Sequence, residues 1–264
     1  VAEEQIMRPM QDAFAQRRPH TCDAGEWQAR CELAAAYRLF AHLGWHELIY
    51  NHLTVRVPGS GHFLINPFGL MYREITASRL VKIDLDGAKV EPNPWPVNPA
   101  GFIVHSAVHA ARADAHCVIH THTTAGQVVS CQRDGLLPLS FNSMFYAGRV
   151  AYHDFEGITL ERNECARLAA HLGDRNVMFL RNHGVLVCGP SIGDAFAEHY
   201  MLQRACEVQV AAQASGAALI QPAPHLAGHV AAQYEASARR GGQNTLLWEA
   251  MLRWAWDMDP GFCA

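Results

Sequence analysis

The stretch Cys117-Val118-Ile119-His120-Thr121-His122-Thr123-Thr124 opens on two β-forming residues and carries two histidines one residue apart. On a strand, residues i and i+2 point to the same face, with Cα atoms roughly 6.5–7 Å apart. So placed, two imidazoles can converge on one cation, each at ~2.0–2.1 Å. The plainer alternative is two polar residues on the wet face of an edge strand. The surrounding chain decides between the two.

Upstream, Glu26 to Leu43 reads as a helix, with Trp27, Ala34, Tyr37 and Ala41 at three- to four-residue spacing and Gly44 to cap it. Strand-like pieces follow at His52–Val57, His62–Asn66 and Leu80–Leu85, punctuated by Pro58-Gly-Ser-Gly61 and Asp86-Gly87. The four prolines between Glu91 and Pro99 demand an extended loop, and a helix from about Gly101 to Arg112 leads into the two-histidine strand. Downstream, Arg149–Tyr152 reads as a short strand and Leu160–Leu172 as a helix. Two β-rich runs, 177–180 and 185–188, flank Arg181-Asn-His-Gly184, and Ile192–Ala214 is a long helix. Residues 1–24 are polar and irregular and are expected to form a flexible arm; 25–215 form the main domain. Residues 216–264 form a helical extension whose Trp248, Leu252 and Trp256 stripe must pack on the body or on a neighbouring subunit. Short strands mixed with long helices point to an α/β or α+β class.

The 264 residues are 50% hydrophobic and 17% charged, with a formal net charge of −4, so one large domain can bury its own core. No basic block is present to neutralise phosphates, which argues against nucleic acid as a partner. No apolar run approaches the ~18 residues that span a bilayer, so no membrane is expected. The polar first residues carry no apolar signal core, and the expected location is cytoplasmic. The eight cysteines form no Cys-x-x-Cys and read as reduced thiols.

Five motifs then agree with one another. Asn51-His-Leu-Thr-Val-Arg56, Ile65-Asn-Pro-Phe-Gly-Leu70, the run from Ile75 to Gly87, His120-Thr-His122 and Asn182-His-Gly184 resemble the class II aldolase/adducin family, in the family's order, over about residues 28 to 215. Asn98-Pro-Ala-Gly101 and Ala151-Tyr-His-Asp154 make the chain most similar to the adducin-head-like bacterial branch. The resemblance implies a three-layer α/β/α fold around a mainly antiparallel sheet, and a cyclic homotetramer with active sites between subunits. It also implies one divalent metal per subunit, held by His120, His122 and His183. Three histidines with an open fourth position is catalytic zinc geometry, and the same nitrogens suit Mn, Co or Fe. Gly184 would permit a tight bend that aims His183 inward.

The sequence also departs from the family's aldolases. Counting back from His120, the Ser-Ser-Glu element of the sugar-phosphate aldolases falls on Pro99, Ala100 and Gly101. In the family that glutamate moves the proton during enolate formation, a task worth about 10²–10⁴-fold in rate. Gly101 cannot perform it. The candidates to replace it are His153, Tyr152, Tyr146 and His52. The serines belong to the family's phosphate cradle. Pro99 offers neither hydroxyl nor N–H, Ala100 keeps only its amide, and Phe68 stands for a threonine beside Gly69, so an unphosphorylated substrate is expected. Asn51, Phe68, Gly69, Ala100 and Gly101 are the candidate substrate contacts.

The leading reading is a metal-dependent C–C lyase, a decarboxylase or retro-aldolase, acting on a small oxo or hydroxy acid or a hydroxyaryl compound. The alternatives are a non-haem Fe(II) oxygenase on hydroxylated aromatic acids and a non-catalytic adducin-like interaction module. His105 and His109, four apart on a helix, read as a surface or core hydrogen-bonding pair rather than as metal ligands.

Overall fold

The computed structural model describes residues 10–157, 162–240 and 242–264. Among the described residues, seven strands form one sheet: β1 (His52–Arg56), β2 (Phe63–Ile65), β3 (Val81–Ile83), β4 (Cys117–Thr121), β5 (Val150–His153), β6 (Val177–Leu180) and β7 (Gly184–Gly189). They lie in the order β3-β2-β1-β4-β7-β6-β5, with every pair antiparallel except β5–β6. The expected mainly antiparallel α/β/α architecture is therefore present, with one parallel pair at an edge.

Alternation along the central strands assigns the two faces. Leu53, Val55, Cys117 and Ile119 join one core with α2 (Ala24–Leu43), α7 (Ile192–Ala214) and α9 (Gln243–Met258). Val118, Leu186 and Met178 join the opposite core, under α3 (Pro99–Ala111) and α6 (Cys165–Leu172). The sequence dictates this arrangement because strands covered on both faces must be apolar throughout. The polar exceptions on the α3 face are then conspicuous: His52, Thr54 and His120. His52 is paired with His120 across the β1–β4 ladder, so their side chains share that face.

The remaining helices are short or peripheral: α1 (Gln11–Ala15), α4 (Thr124–Ser130), α5 (Phe141–Met144) and α8 (Pro224–Arg240). Two expectations are corrected. Over residues 10–24 the chain is not a loose arm: Phe14 is 1% exposed, packed against Trp256 and Phe262, and its carbonyl accepts from the Trp27 indole. Residues 1–9 of that arm lie outside the described residues. The cysteines are not all free either, since Cys31 on α2 is joined to Cys263 at a Cα separation of 5.0 Å, within the span a disulfide bridges. The Trp248–Leu252 stripe packs on the body of the same chain, covering α2 and α7. No helix among the described residues is long and apolar enough to cross a membrane.

Candidate metal centre

His120 is the penultimate residue of β4, and His122 lies one residue past its end. The expected shared strand face is thus replaced by a strand end and the start of a turn, and the two rings still converge. Their Nε2 atoms are 2.8 Å apart. His183 enters from the β6–β7 turn, its ring centroid 4.8 Å from that of His120 and 4.7 Å from that of His122. One ligating nitrogen from each of the three lies within 4.8 Å of the others, the one such group among the described residues.

The turn works differently from expectation. The left-handed residue is Asn182, at φ 57°, not Gly184. Asparagine tolerates that conformation. Gly184 is required for another reason: a Cβ there would lie 2.5 Å from the Thr121 carbonyl oxygen and 3.0 Å from the His122 ring. Its bare Cα lets β7 close against β4 and bring His183 to the pair.

Hydrogen bonds fix how the ligands face. His120 Nδ1 donates to the Val185 carbonyl at 2.9 Å, which leaves Nε2 bare. His122 Nδ1 donates to the Glu47 carboxylate, which turns Nε2 toward His120. A carboxylate or carbonyl behind each imidazole is the arrangement that orients metal-binding histidines. Two Nε2 atoms 2.8 Å apart, on rings each oriented from behind, can face one cation together with His183, so the donor set fits a divalent ion. Burial, reinforced by neighbouring His183, His122 and His52, holds His120 well below the usual histidine range. Burial and then His122 bring His183 down to about 4. Both are neutral at pH 7, the form that ligates metal. Glu47 is invisible to motif reading: it sits 75 residues away in sequence from its partner, in a loop with no periodic signal.

The triad opens onto a cavity of about 660 Å³. His52, Phe68 and Gly101 line it, together with Tyr50, Val104 and Phe155, and no Lys or Arg is among its described lining residues. Asn51 is buried beneath. Its Oδ1 accepts from the His122 backbone N–H at 3.2 Å, while its Nδ2 is buried without a partner. Gly69 is solvent-exposed beside Phe68 and off the cavity wall. Ala100 precedes Gly101 in the first turn of α3, and its side chain lies outside the described residues.

Of the four acid/base candidates, the structure brings only His52 to this cavity. Tyr146 is buried in the core, its hydroxyl donating to the Glu198 carbonyl at 2.9 Å. The Tyr152 hydroxyl accepts from the Leu136 N–H at 3.0 Å, and its ring lies under Arg181. His153 is bonded to His171 at 2.8 Å and to Glu164 at 3.0 Å, in a small crevice behind His183. These three are withdrawn from the catalytic set of this cavity, because each is committed to a structural hydrogen bond away from its wall.

The family model described as "Class II Aldolase and Adducin N-terminal domain" matches residues 31–210. The chain belongs to that family. A Pseudomonas aeruginosa protein, provisionally named an aldolase class 2 protein, is 52% identical over 243 residues, covering 90% of this chain and 93% of its own length. Rat alpha-adducin is 48% identical over 197 residues, 73% of this chain but 27% of adducin. Among solved structures, L-fuculose 1-phosphate aldolase from Glaciozyma antarctica superposes with a TM-score of 0.76 at 28% identity, covering 94% of this chain and 97% of that one. Members of this family are typically metal-dependent lyases that use a divalent ion, and the His120, His122, His183 cluster is where this chain would hold it.

Proposed function

We propose that this protein is a divalent-metal-dependent C–C bond lyase, a retro-aldolase or decarboxylase, acting on a small unphosphorylated oxo or hydroxy acid or hydroxyaryl compound. The observation that carries it is the cavity itself: three converging histidines at its floor, aromatic walls, and no cationic side chain among the described lining residues. A divalent ion bound by His120, His122 and His183, with zinc the first choice, would polarise a carbonyl or stabilise an enolate.

The chain's own residues supply the rest. Tyr50, Phe68 and Phe155 offer flat apolar surface to a substrate. The first turn of α3, with Gly101 on the wall, presents backbone N–H groups and the positive end of the helix dipole to a substrate carboxylate. Asn51 supports the site from beneath, its Oδ1 holding the His122 backbone N–H. A sugar phosphate fits poorly, since its dianion would meet no lysine or arginine on these walls. As in related aldolases, a homotetramer with cavities between subunits is part of the proposal.

Identity to alpha-adducin favours a second reading, an interaction module without turnover. Protein purified without chelators and assayed against a panel of hydroxy and oxo acids separates the two. The lyase reading expects release of an aldehyde, a ketone or CO₂ that stops on metal removal and with His120→Ala. Binding of no transition metal would overturn it in favour of the module. Oxygen consumption by the Fe(II)-loaded protein with hydroxyaryl acids would move it to the oxygenase class.

A further inference from the structure

Behind the metal-facing cavity, a chain of buried side chains runs inward from the acid/base candidate His52 through His105 and Thr54 to His109. His52 Nδ1 is 2.8 Å from His105 Nε2. His105 Nδ1 is 2.7 Å from Thr54 Oγ1, and Thr54 Oγ1 is 2.8 Å from His109 Nε2. His109 Nδ1 is 2.9 Å from the Ala115 carbonyl oxygen. All four residues are at most 4% exposed.

The end of this chain determines every hydrogen in it. A carbonyl only accepts, so His109 Nδ1 must carry the proton. Burial keeps His109 neutral, down to about 3, so its Nε2 is bare and takes the Thr54 hydroxyl hydrogen. Thr54, having given its one hydrogen, accepts from His105 Nδ1–H. His105, held neutral by burial, then has a bare Nε2, which accepts from His52 Nδ1–H. His52 is left with its Nε2 unprotonated.

That Nε2 has a defined location. A Cβ built on Gly101 would lie 2.3 Å from both Nε2 and Cδ2 of His52, far inside contact distance. The imidazole therefore occupies the space into which any side chain at 101 would project, the position where the family's aldolases carry their glutamate. A side chain at 101 and the His52 imidazole in this position exclude each other. The His52 ring centroid is 5.3 Å from that of His120, yet His52 is not among the three nitrogens that cluster as a ligand set. It lines the cavity beside the ligand set without belonging to it.

We propose that His52 Nε2 is a fixed hydrogen-bond acceptor for a substrate hydroxyl in the cavity, and that His105, Thr54 and His109 are positioning residues that lock its tautomer from the Ala115 carbonyl. The class of ligand is a small hydroxy acid whose hydroxyl reaches toward Gly101. The acceptor role rests on the metal-lyase reading; the relay does not.

Long-range ¹H–¹⁵N spectra of the full chain, zinc-free and zinc-loaded, test the relay. The expected result is His52, His105 and His109 each as the single Nδ1–H tautomer in both states, with a mixture at His52 in Thr54→Val and retention in Thr54→Ser. A proton on His52 Nε2, or a single unchanged tautomer in Thr54→Val, would overturn it. If Thr54→Val does not fold, the wild-type tautomers still decide.

Calorimetry of glycolate against acetate on the zinc-loaded protein tests the acceptor. The preference for glycolate is expected to fall about three- to tenfold in His52→Ala, and glycolate but not acetate is expected to shift the wild-type His52 Nε2 resonance. An unchanged preference, or no such shift, would overturn the acceptor role. A locked relay in a protein without lyase activity would sink the reaction alone, and a lyase with His52 protonated at Nε2 would sink the relay alone.

Discussion

Two groups of three histidines lie side by side in this molecule and are built on opposite logic. His120, His122 and His183 come from a strand end, a turn and a neighbouring hairpin, and they aim ring nitrogens at one another. That arrangement is incomplete by itself. His52, His105 and His109 come from β1 and α3, and each nitrogen but one is matched donor to acceptor. That arrangement is complete by itself, and it leaves a single free lone pair at the cavity wall. Histidine count and burial do not separate a metal centre from a structural network. The direction of the hydrogen bonds does.

The contrast breaks most sharply on removal of a metal ligand. His120→Ala should weaken divalent-metal affinity by more than ~100-fold, read by competition with a chromophoric chelator, while its urea midpoint without metal stays at or above that of the wild type. Loss of stability with unchanged metal affinity would reverse the roles of the two groups. Glu47→Gln should act on the same side more gently. It keeps the shape but loses the carboxylate that His122 Nδ1 meets, and a partner of this kind is typically worth roughly 10–100-fold in affinity.

Thr54→Val addresses the other side. It leaves His109 Nε2 buried without a donor, so stability should fall by about 1–3 kcal/mol, with metal affinity within a factor of two or so of wild type. A large loss of metal binding in this variant would show that the two groups are one unit.

Acidification is the gentlest test. Burial depresses His52, His109 and His199 to about 3 in the folded protein, against about 6.5 when unfolded. Between those values the unfolded chain binds more protons than the folded one, so stability rises with pH there and is lost as pH falls below about 6.5. The metal-free urea midpoint should therefore be lower at pH 5.0 than at pH 7.5. An unchanged midpoint would mean that the buried network is not held neutral.

These comparisons also show what was legible in the chain beforehand. The strand carrying His120, the two β-runs around His183 and the long helix Ile192–Ala214 could be read because apolar periodicity and turn residues both spoke for them. Alternation placed His52 and Thr54 on one strand face, and i,i+4 spacing placed His105 and His109 on one helix face. Nothing in the sequence said that those two faces meet, because register and helix docking are non-local. Glu47 and the Cys31–Cys263 link depend on contacts 75 and 232 residues apart in sequence and were out of reach for the same reason. Tyr146, Tyr152 and His153 were credible as acid/base groups by residue type alone. Their hydrogen bonds direct them elsewhere.

The central claim is that His120, His122 and His183 hold a divalent ion at the floor of the cavity. Anomalous diffraction at the zinc edge, from crystals of protein grown with zinc, tests it most directly. The expected result is one strong peak per chain at about 2.0–2.1 Å from Nε2 of His120, Nε2 of His122 and a ring nitrogen of His183. A map with no peak there, or with zinc only at surface carboxylates or at other histidines, would contradict it.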